Sequence, residues 1–196
     1  MSKAVSRYHP LLVGLHWVLA VLIVAALALG SLVMVRIPNS DPMKLEALRS
    51  HVAGGGFILL LMLVRLLVRA RTDRPADPST GVRSLDRLAW LSHRLLYVLV
   101  IAQGGSGLVL ALQAHLPAIL YAGHGALPAD FWVFPVRTVH YLVSRGLMTL
   151  IVLHVAGALY HTFVLRDGLL RRMRFGARRA RPLESREFAT PAGDKS

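Results

Sequence analysis

Four long apolar segments, separated by polar connections, dominate the pattern of residues along the chain. They run from about Leu11 to Val35, Leu48 to Val68, Leu88 to Leu112 and Val139 to Leu165. Each is long enough to cross a hydrocarbon core of about 30 Å, which takes about 20 residues of α-helix. The pattern therefore predicts an all-α membrane protein, a four-transmembrane-helix bundle.

Prolines interrupt the connections between these segments, because proline cannot continue a helix. They are Pro38 and Pro42 in the first connection, Pro75 and Pro78 in the second, and Pro117, Pro128 and Pro135 in the third. The third connection is longer and contains Tyr121, Phe131 and Trp132. Aromatic residues of this kind favour the membrane–water interface.

The positive charges are unevenly distributed between the connections. The 196 residues carry a formal net charge of +13. Most arginines lie between Arg65 and Arg94 or after Arg166, whereas the first and third connections hold only Arg36, Lys44, Arg49 and Arg137. Since short cytoplasmic loops are rich in Lys and Arg, we expect both termini to be cytoplasmic. This distribution argues against nucleic acid as a partner.

The composition divides the chain and limits its chemistry. Residues 1–172 form the predicted transmembrane domain, and residues 173–196 form a basic, flexible cytoplasmic tail that could rest on anionic lipid. With 55% hydrophobic residues and a mean hydropathy of +0.53, the chain is too apolar for an ordinary soluble domain. The absence of cysteine excludes disulfides, thiolate-bound iron–sulfur clusters and covalently attached haem.

Four histidines in the apolar segments can be assigned to two depths. His140 and His154 are fourteen residues apart in the fourth segment, about 21 Å along one helix face at 1.5 Å per residue. In the expected topology His51 and His140 lie near the outer surface, and His16 and His154 lie near the cytoplasmic surface. The depths therefore pair His51 with His140 and His16 with His154, and each pair joins two helices.

Paired imidazoles of this kind are typical axial ligands of haem iron. Two pairs at two depths predict two noncovalent haems stacked across the membrane, which would relay electrons. Each histidine could instead be hydrogen-bonded to a neighbouring helix, since intramembrane polar residues need partners. A zinc or copper site is less favoured, because two ligands at each depth leave such metals short of four.

The other five histidines are less clearly assigned. His93 begins the third segment and could replace His16 as the inner ligand, which depth alone does not decide. His161 lies seven residues beyond His154, where it could hydrogen-bond a quinone carbonyl or simply extend to the interface. His9, His115 and His124 lie in connections and are expected to be exposed.

Several motifs together resemble the bacterial cytochrome b561 family. They are Leu15-His16-Trp17, Arg49-Ser50-His51-Val52-Ala53-Gly54, Leu91-Ser92-His93 followed by Tyr97, Val139-His140, Leu153-His154 and Tyr160-His161. The resemblance covers about residues 8–172. It implies a four-helix inner-membrane protein with two b-type haems, held by His16, His51, His140 and His154.

The resemblance also implies a function. One member of that family oxidises superoxide on the outer side and reduces ubiquinone, with the histidine that matches His161 associated with the quinone. We therefore expect a membrane oxidoreductase that uses its haems, with no catalytic side chain, and superoxide as the outer donor. The alternatives are a cytochrome b anchor subunit that relays electrons for a dehydrogenase or hydrogenase, and a haem-free transporter whose histidines relay protons.

Overall fold

The computed structural model describes residues 7–73, 75 and 81–176, and every regular element in these ranges is helical. The helices are α1 (Pro10–Ala28), α2 (Pro42–Arg71), α3 (Arg83–Gln113), α4 (Leu116–Tyr121) and α5 (Pro135–Tyr160). Four helical segments are long and apolar enough to cross a membrane, and they are Pro10–Arg36, Pro42–Arg71, Arg83–Gln113 and Pro135–Leu165. The predicted four-helix membrane fold is therefore confirmed. Of the predicted tail, residues 177–196 lie outside the described residues.

The membrane helices begin earlier than their apolar segments because polar residues and proline start them. Pro42 and Pro135, expected to break connections, instead occupy the first turn of α2 and α5. Proline has no amide hydrogen, and none is needed in the first turn, because amides there have no acceptor within the helix. The carboxylate of Asp41 accepts a hydrogen bond from the amide of Met43 at 2.8 Å, which caps α2. His9, expected to be simply exposed, caps α1 by accepting a bond from the Leu11 amide at 3.2 Å.

Two transmembrane helices end in a turn of π-helix. Residues Leu29–Val33 extend α1, and residues His161–Leu165 extend α5. Turns of this type are rare and occur frequently at functional sites. Each one here carries or contacts a histidine of interest, as described below.

The helices pack as an incomplete ring. The most extensive contact is between α3 and α5, and α2 packs against both α1 and α3. In the described ranges α5 makes hardly any close backbone contact with α1 or with α2. The central core consists of apolar side chains that four helices contribute, namely Leu19, Leu27, Ile58, Met62, Val100 and Leu147. Large apolar side chains such as Val21 and Val152 point outwards, as a lipid-facing surface requires.

The two ends of the bundle are each tied together by hydrogen bonds. At the end that we call the terminal end (residues 7–17, 65–73, 81–97 and 154–176), the Trp17 indole donates to the carbonyl of Met173 at 3.0 Å. At the opposite, loop end (residues 28–51 and 103–140), the Asn39 amide donates to the carbonyl of Pro128 at 2.9 Å. Arg49 also donates to the carbonyl of Leu120, at 2.7 Å. The short helix α4, which the sequence pattern did not predict, lies at this end and buries Leu116 and Leu120.

Candidate functional site

The predicted histidine pairs face each other at two levels of the bundle. At the loop end, the ring centroids of His51 on α2 and His140 on α5 are 6.2 Å apart. Towards the terminal end, the ring centroids of His16 on α1 and His154 on α5 are 6.4 Å apart. Both pairs bridge helices that lack close backbone contact. Each pair of imidazoles therefore lies across a gap between helices.

These distances match the requirement for one metal ion between two imidazoles. A metal–imidazole bond takes about 2 Å and a ring nitrogen lies about 1 Å from its centroid, so the centroids should be about 6 Å apart. Both pairs meet this requirement. Haem iron, whose four equatorial positions are filled by the porphyrin, needs only these two protein ligands.

His93 also lies at the terminal-end level. Its ring centroid is 5.2 Å from that of His154, with the planes 80° apart. This separation is about 1 Å shorter than that of either predicted pair and suits direct ring contact better than a shared metal ion. Of the two candidates that the sequence left open, His16 has the more suitable spacing.

Two polar residues on α3 orient the ring of His140. The Gln103 side-chain amide nitrogen lies 2.9 Å from His140 Nε2, and the Ser106 hydroxyl lies 3.1 Å from His140 Nδ1. Ser106 also donates its hydroxyl hydrogen to the carbonyl of Gln103, at 3.1 Å. Because its hydroxyl oxygen then accepts from Nδ1, the proton is assigned to Nδ1 and the lone pair to Nε2. A second partner of this kind is typical of histidines that bind metal ions.

Among the described residues, the ring of His51 has fewer hydrogen-bond partners than the ring of His140. Its Nδ1 atom is buried and has no hydrogen-bond partner in the described part of the chain, as is also true of Gln103 Oε1. Buried polar atoms without partners are costly. Two such atoms beside the His51–His140 pair fit a site whose side chains bind a further group.

Glycines leave room for the imidazoles at the loop end. A Cβ atom at Gly30, in the π-turn of α1, would lie 3.3 Å from His51 Cε1. A Cβ atom at Gly107 would lie 3.1 Å from His140 Cε1. By contrast, added Cβ atoms at Gly54, Gly55 and Gly56 would meet nothing within 4 Å, so this stretch of α2 faces open space.

An arginine lies close to the terminal-end pair. Arg65 donates to the carbonyl of Leu12 at 2.8 Å and to the Tyr97 hydroxyl at 3.2 Å. Its charge acts on both His16 and His154. This part of α2 therefore brings a fixed positive charge to the His16–His154 pair.

His161 begins the π-turn that ends α5 and pairs with Asp167. Its Nδ1 atom lies 2.5 Å from Asp167 Oδ2, and the His161 side chain is 13% exposed. Although partial burial by itself raises the pKa of Asp167, three effects together hold this pKa below its usual value. They are the hydrogen bond from His161, the bond from the Leu169 amide and the charges of His161 and Arg172. The pairing fixes one nitrogen of His161 and leaves Nε2 available for a ligand.

Three basic residues of the first and third connections have different environments. Lys44 is only 7% exposed, and its ammonium group donates to the carbonyls of Met34 and Ile37. Arg49 pairs with Glu46. Arg137 stacks on Trp132, 4.5 Å from the ring centroid, and its charge acts on both His51 and His140. Arg137 is therefore the basic residue best placed to influence the His51–His140 pair.

Sequence reasoning missed several residues of the site. Gln103 and Ser106 are polar positions inside an apolar helix, and that signal could have identified them, because polar side chains within membranes need partners. Gly30 and Asp167 carried no comparable signal. Their contacts depend on the two π-turns, which the hydrophobic pattern does not reveal. His115 and His124 are exposed, as expected, and His115 begins α4 in a left-handed conformation.

Comparison with known proteins identifies the family. A family model described as prokaryotic cytochrome b561 matches residues 7–176. Cytochrome b561 homolog 2 of Escherichia coli (strain K12) is 28% identical over 178 residues, which cover 86% of this chain and 91% of that protein. A Yersinia pestis protein named "Probable superoxide oxidase CybB" is 27% identical over 182 residues, which cover 86% of this chain and 96% of that protein.

The matched region contains all four transmembrane segments and every histidine discussed above. The family implies binding of haem b, an electron-transfer role and a multi-pass location in the bacterial inner membrane. The chain is thus a membrane oxidoreductase by family and belongs to the prokaryotic cytochrome b561 family.

Proposed function

We propose that this cytochrome holds two b-type haems and carries electrons across the membrane from superoxide to ubiquinone. His51 and His140 would hold the outer haem, and His16 and His154 the inner one. The main support is the pair of centroid distances, 6.2 and 6.4 Å, at two levels of one bundle. Haem b, when bound, supplies one-electron redox chemistry at its iron.

The direction of transfer depends on the orientation of the bundle. We propose that the loop end faces outwards and that both termini are cytoplasmic, because the arginines concentrate at the terminal end. His51 and His140 then lie on the outer side. The two levels are about 21 Å apart along α5, as the fourteen-residue spacing requires.

The outer donor would meet the protein near Arg137. Arg137 is half-buried, and its charge acts on both outer histidines. A positive charge at this place favours the approach of a small anion such as superoxide. The name of the Yersinia pestis relative agrees with this choice of donor.

The quinone would bind near His161. Its Nδ1 atom is fixed by Asp167, so Nε2 is free to hydrogen-bond a quinone carbonyl. Trp17, whose ring centroid lies 5.2 Å from that of His16, connects this region with the inner pair. Two superoxide anions would yield two dioxygen molecules and two electrons, and these electrons with two protons convert one ubiquinone to ubiquinol.

The purified full-length protein tests this proposal. We expect a low-spin b-type spectrum, two haems per chain by the pyridine haemochrome assay, rapid haem reduction by superoxide in stopped flow, and reoxidation by a soluble ubiquinone analogue. A colourless preparation that keeps its helical structure contradicts the haem assignment. Reduction that requires a co-purifying dehydrogenase or hydrogenase instead identifies the protein as an anchor subunit.

Single histidine variants test the inner ligands. We expect His16→Ala to lose one haem per chain and His93→Ala to retain both, because only His16 has the spacing from His154 that a shared iron needs. The haem count of each variant is the measurement. If His93→Ala loses a haem and His16→Ala does not, the inner pair is wrong.

A further inference from the structure

A basic cavity lies at the terminal end, between α1 and the turn that follows α5. It has a volume of about 530 Å³. Its walls include Trp17 of α1, Thr162 of the π-turn and Leu170, together with three arginines, Arg166, Arg171 and Arg174. Neither His161 nor any residue of the four-histidine set lines it.

The local backbone brings the three arginines together. Arg166 and Gly168 have positive φ angles, 50° and 70°, so the chain reverses direction after α5. A side chain at position 168 would meet the Arg171 guanidinium group, whose Nε lies 3.1 Å from the place of a Cβ atom. The bond from the Trp17 indole to the carbonyl of Met173, at 3.0 Å, holds the next residue, Arg174, near α1. The cavity is thus built by specific contacts.

Among the residues that the structure describes, no acidic side chain balances the charge of this cavity. No carboxylate lines it, and within the described ranges none of the three arginines forms an ion pair. The neighbouring Asp167 is bonded to His161 and to the Leu169 amide instead. Three guanidinium groups around one cavity favour an anion with several oxygen acceptors, and phosphate is the best match for their planar, forked geometry.

The position of the cavity favours phosphate that belongs to a lipid. The adjoining turn exposes Phe163 and Val164, at 68% and 62%, on the surface of a helix that crosses the membrane. Trp17 is 47% exposed, and tryptophan prefers the interface where lipid head groups lie. Leu170 adds an apolar wall. Basic pockets of transmembrane proteins at this depth bind the head groups of anionic lipids.

We propose that this cavity binds the phosphate group of an anionic phospholipid, with Arg166, Arg171 and Arg174 as its ligands and Trp17 against the glycerol region. This site uses none of the histidines, although Trp17 also adjoins the region proposed for the quinone.

Native mass spectrometry of the full-length protein in detergent tests this site. The probes are phosphatidylglycerol, phosphatidylcholine of the same acyl chains, and inorganic phosphate. We expect one tightly held phosphatidylglycerol, no comparable phosphatidylcholine, and no displacement by millimolar phosphate. Each arginine near such a surface contributes about a factor of five, so R166Q/R171Q/R174Q should bind phosphatidylglycerol roughly 100-fold more weakly.

A matched variant, R71Q/R83Q/R87Q, removes the same charge elsewhere at the terminal end and should bind phosphatidylglycerol as the unmodified protein does. Circular dichroism of both variants checks that the helices remain. The proposed site would be contradicted if both triple variants lost phosphatidylglycerol binding equally. It would also be contradicted if the unmodified protein retained phosphatidylglycerol and phosphatidylcholine equally well. Displacement by inorganic phosphate would overturn the lipid assignment, and displacement by a ubiquinone analogue would assign the cavity to the quinone.

Discussion

At the scale of single residues, the surroundings of His140 explain how an imidazole within an apolar bundle keeps a lone pair on Nε2, which here accepts from the Gln103 amide. Ser106 accepts from Nδ1 while its own hydrogen goes to the carbonyl of Gln103, and therefore Nε2 carries the lone pair. Fixing the tautomer before a ligand arrives avoids the cost of selecting it on binding. The same hydroxyl thus acts as a positioning group for the outer histidine.

Replacement of this hydroxyl is the first prediction. Ser106→Ala should weaken retention of the outer haem by about 10- to 100-fold, the usual effect of losing such a partner. The measurement is haem transfer to an apo-acceptor protein, with the reduction potential as a second readout. Ser144→Ala is the matched control, because Ser144 is equally buried but bonds only to the carbonyl of Tyr141. Equal haem loss in both variants would contradict a specific role for Ser106.

The same residues show what the sequence could and could not reveal. The pairing of His51 with His140 and of His16 with His154 follows from helix direction and a rise of 1.5 Å per residue, so it could be predicted without coordinates. Which α3 side chains contact His140 depends on the rotation of α3 about its axis. That rotation is set by packing against α5, and no single-sequence pattern encodes it.

At the scale of elements, α2 contributes to both levels of the bundle. It carries His51 near its beginning and Arg65 fourteen residues later, on the same helix face. Arg65 is held by the Leu12 carbonyl and the Tyr97 hydroxyl, so its charge stays close to His16 and His154. A fixed cation favours the more electron-rich state of any redox group beside it.

Arg65 therefore gives the second prediction. Arg65→Leu should make the inner haem harder to reduce and leave the outer one nearly unchanged, whereas Arg65→Lys should have the smaller effect because it retains the charge. Redox titration of the two haem bands provides the measurement. A shift of equal size at both haems would show that the variant acts through the bundle as a whole.

The turn after α5 gives a third prediction, which concerns pH. The pKa of Asp167 lies below its usual value, so its ionised form stabilises the fold. This contribution is present above the unfolded pKa and is lost as the pH falls through the folded one. Asp167→Asn should therefore lower the melting temperature slightly at neutral pH, since the side chain is 32% exposed. The difference should disappear in strong acid, and its persistence there would exclude a carboxylate effect.

At the scale of the whole molecule, the hydrophobic pattern predicted the most. The four transmembrane segments agree with the structure to within a few residues at most ends, because the bilayer thickness fixes their length. The largest error is at the beginning of α2, which was predicted at Leu48 and lies six residues earlier, at Pro42. Capping by Asp41 extends this helix beyond its apolar part. The helix α4 and both π-turns were not predicted, because tertiary contacts rather than periodicity stabilise them.

Orientation in the membrane is the fourth prediction. The chain has no cysteine, so single cysteines report the side on which they lie. A129C at the loop end should react with an impermeant maleimide in intact spheroplasts, and S84C near the start of α3 should react only after lysis. The opposite labelling pattern would reverse the proposed direction of electron transfer.

The bonds at the loop end also affect how the protein is made. Asn39 and Arg49 donate to carbonyls that the ribosome adds about 70 to 90 residues later. After insertion of the first two helices, these side chains must remain in contact with water or lipid until the second half of the chain arrives. The loop end therefore closes only after Pro128 has been added, and the terminal end closes later still, because there Trp17 donates to the carbonyl of Met173.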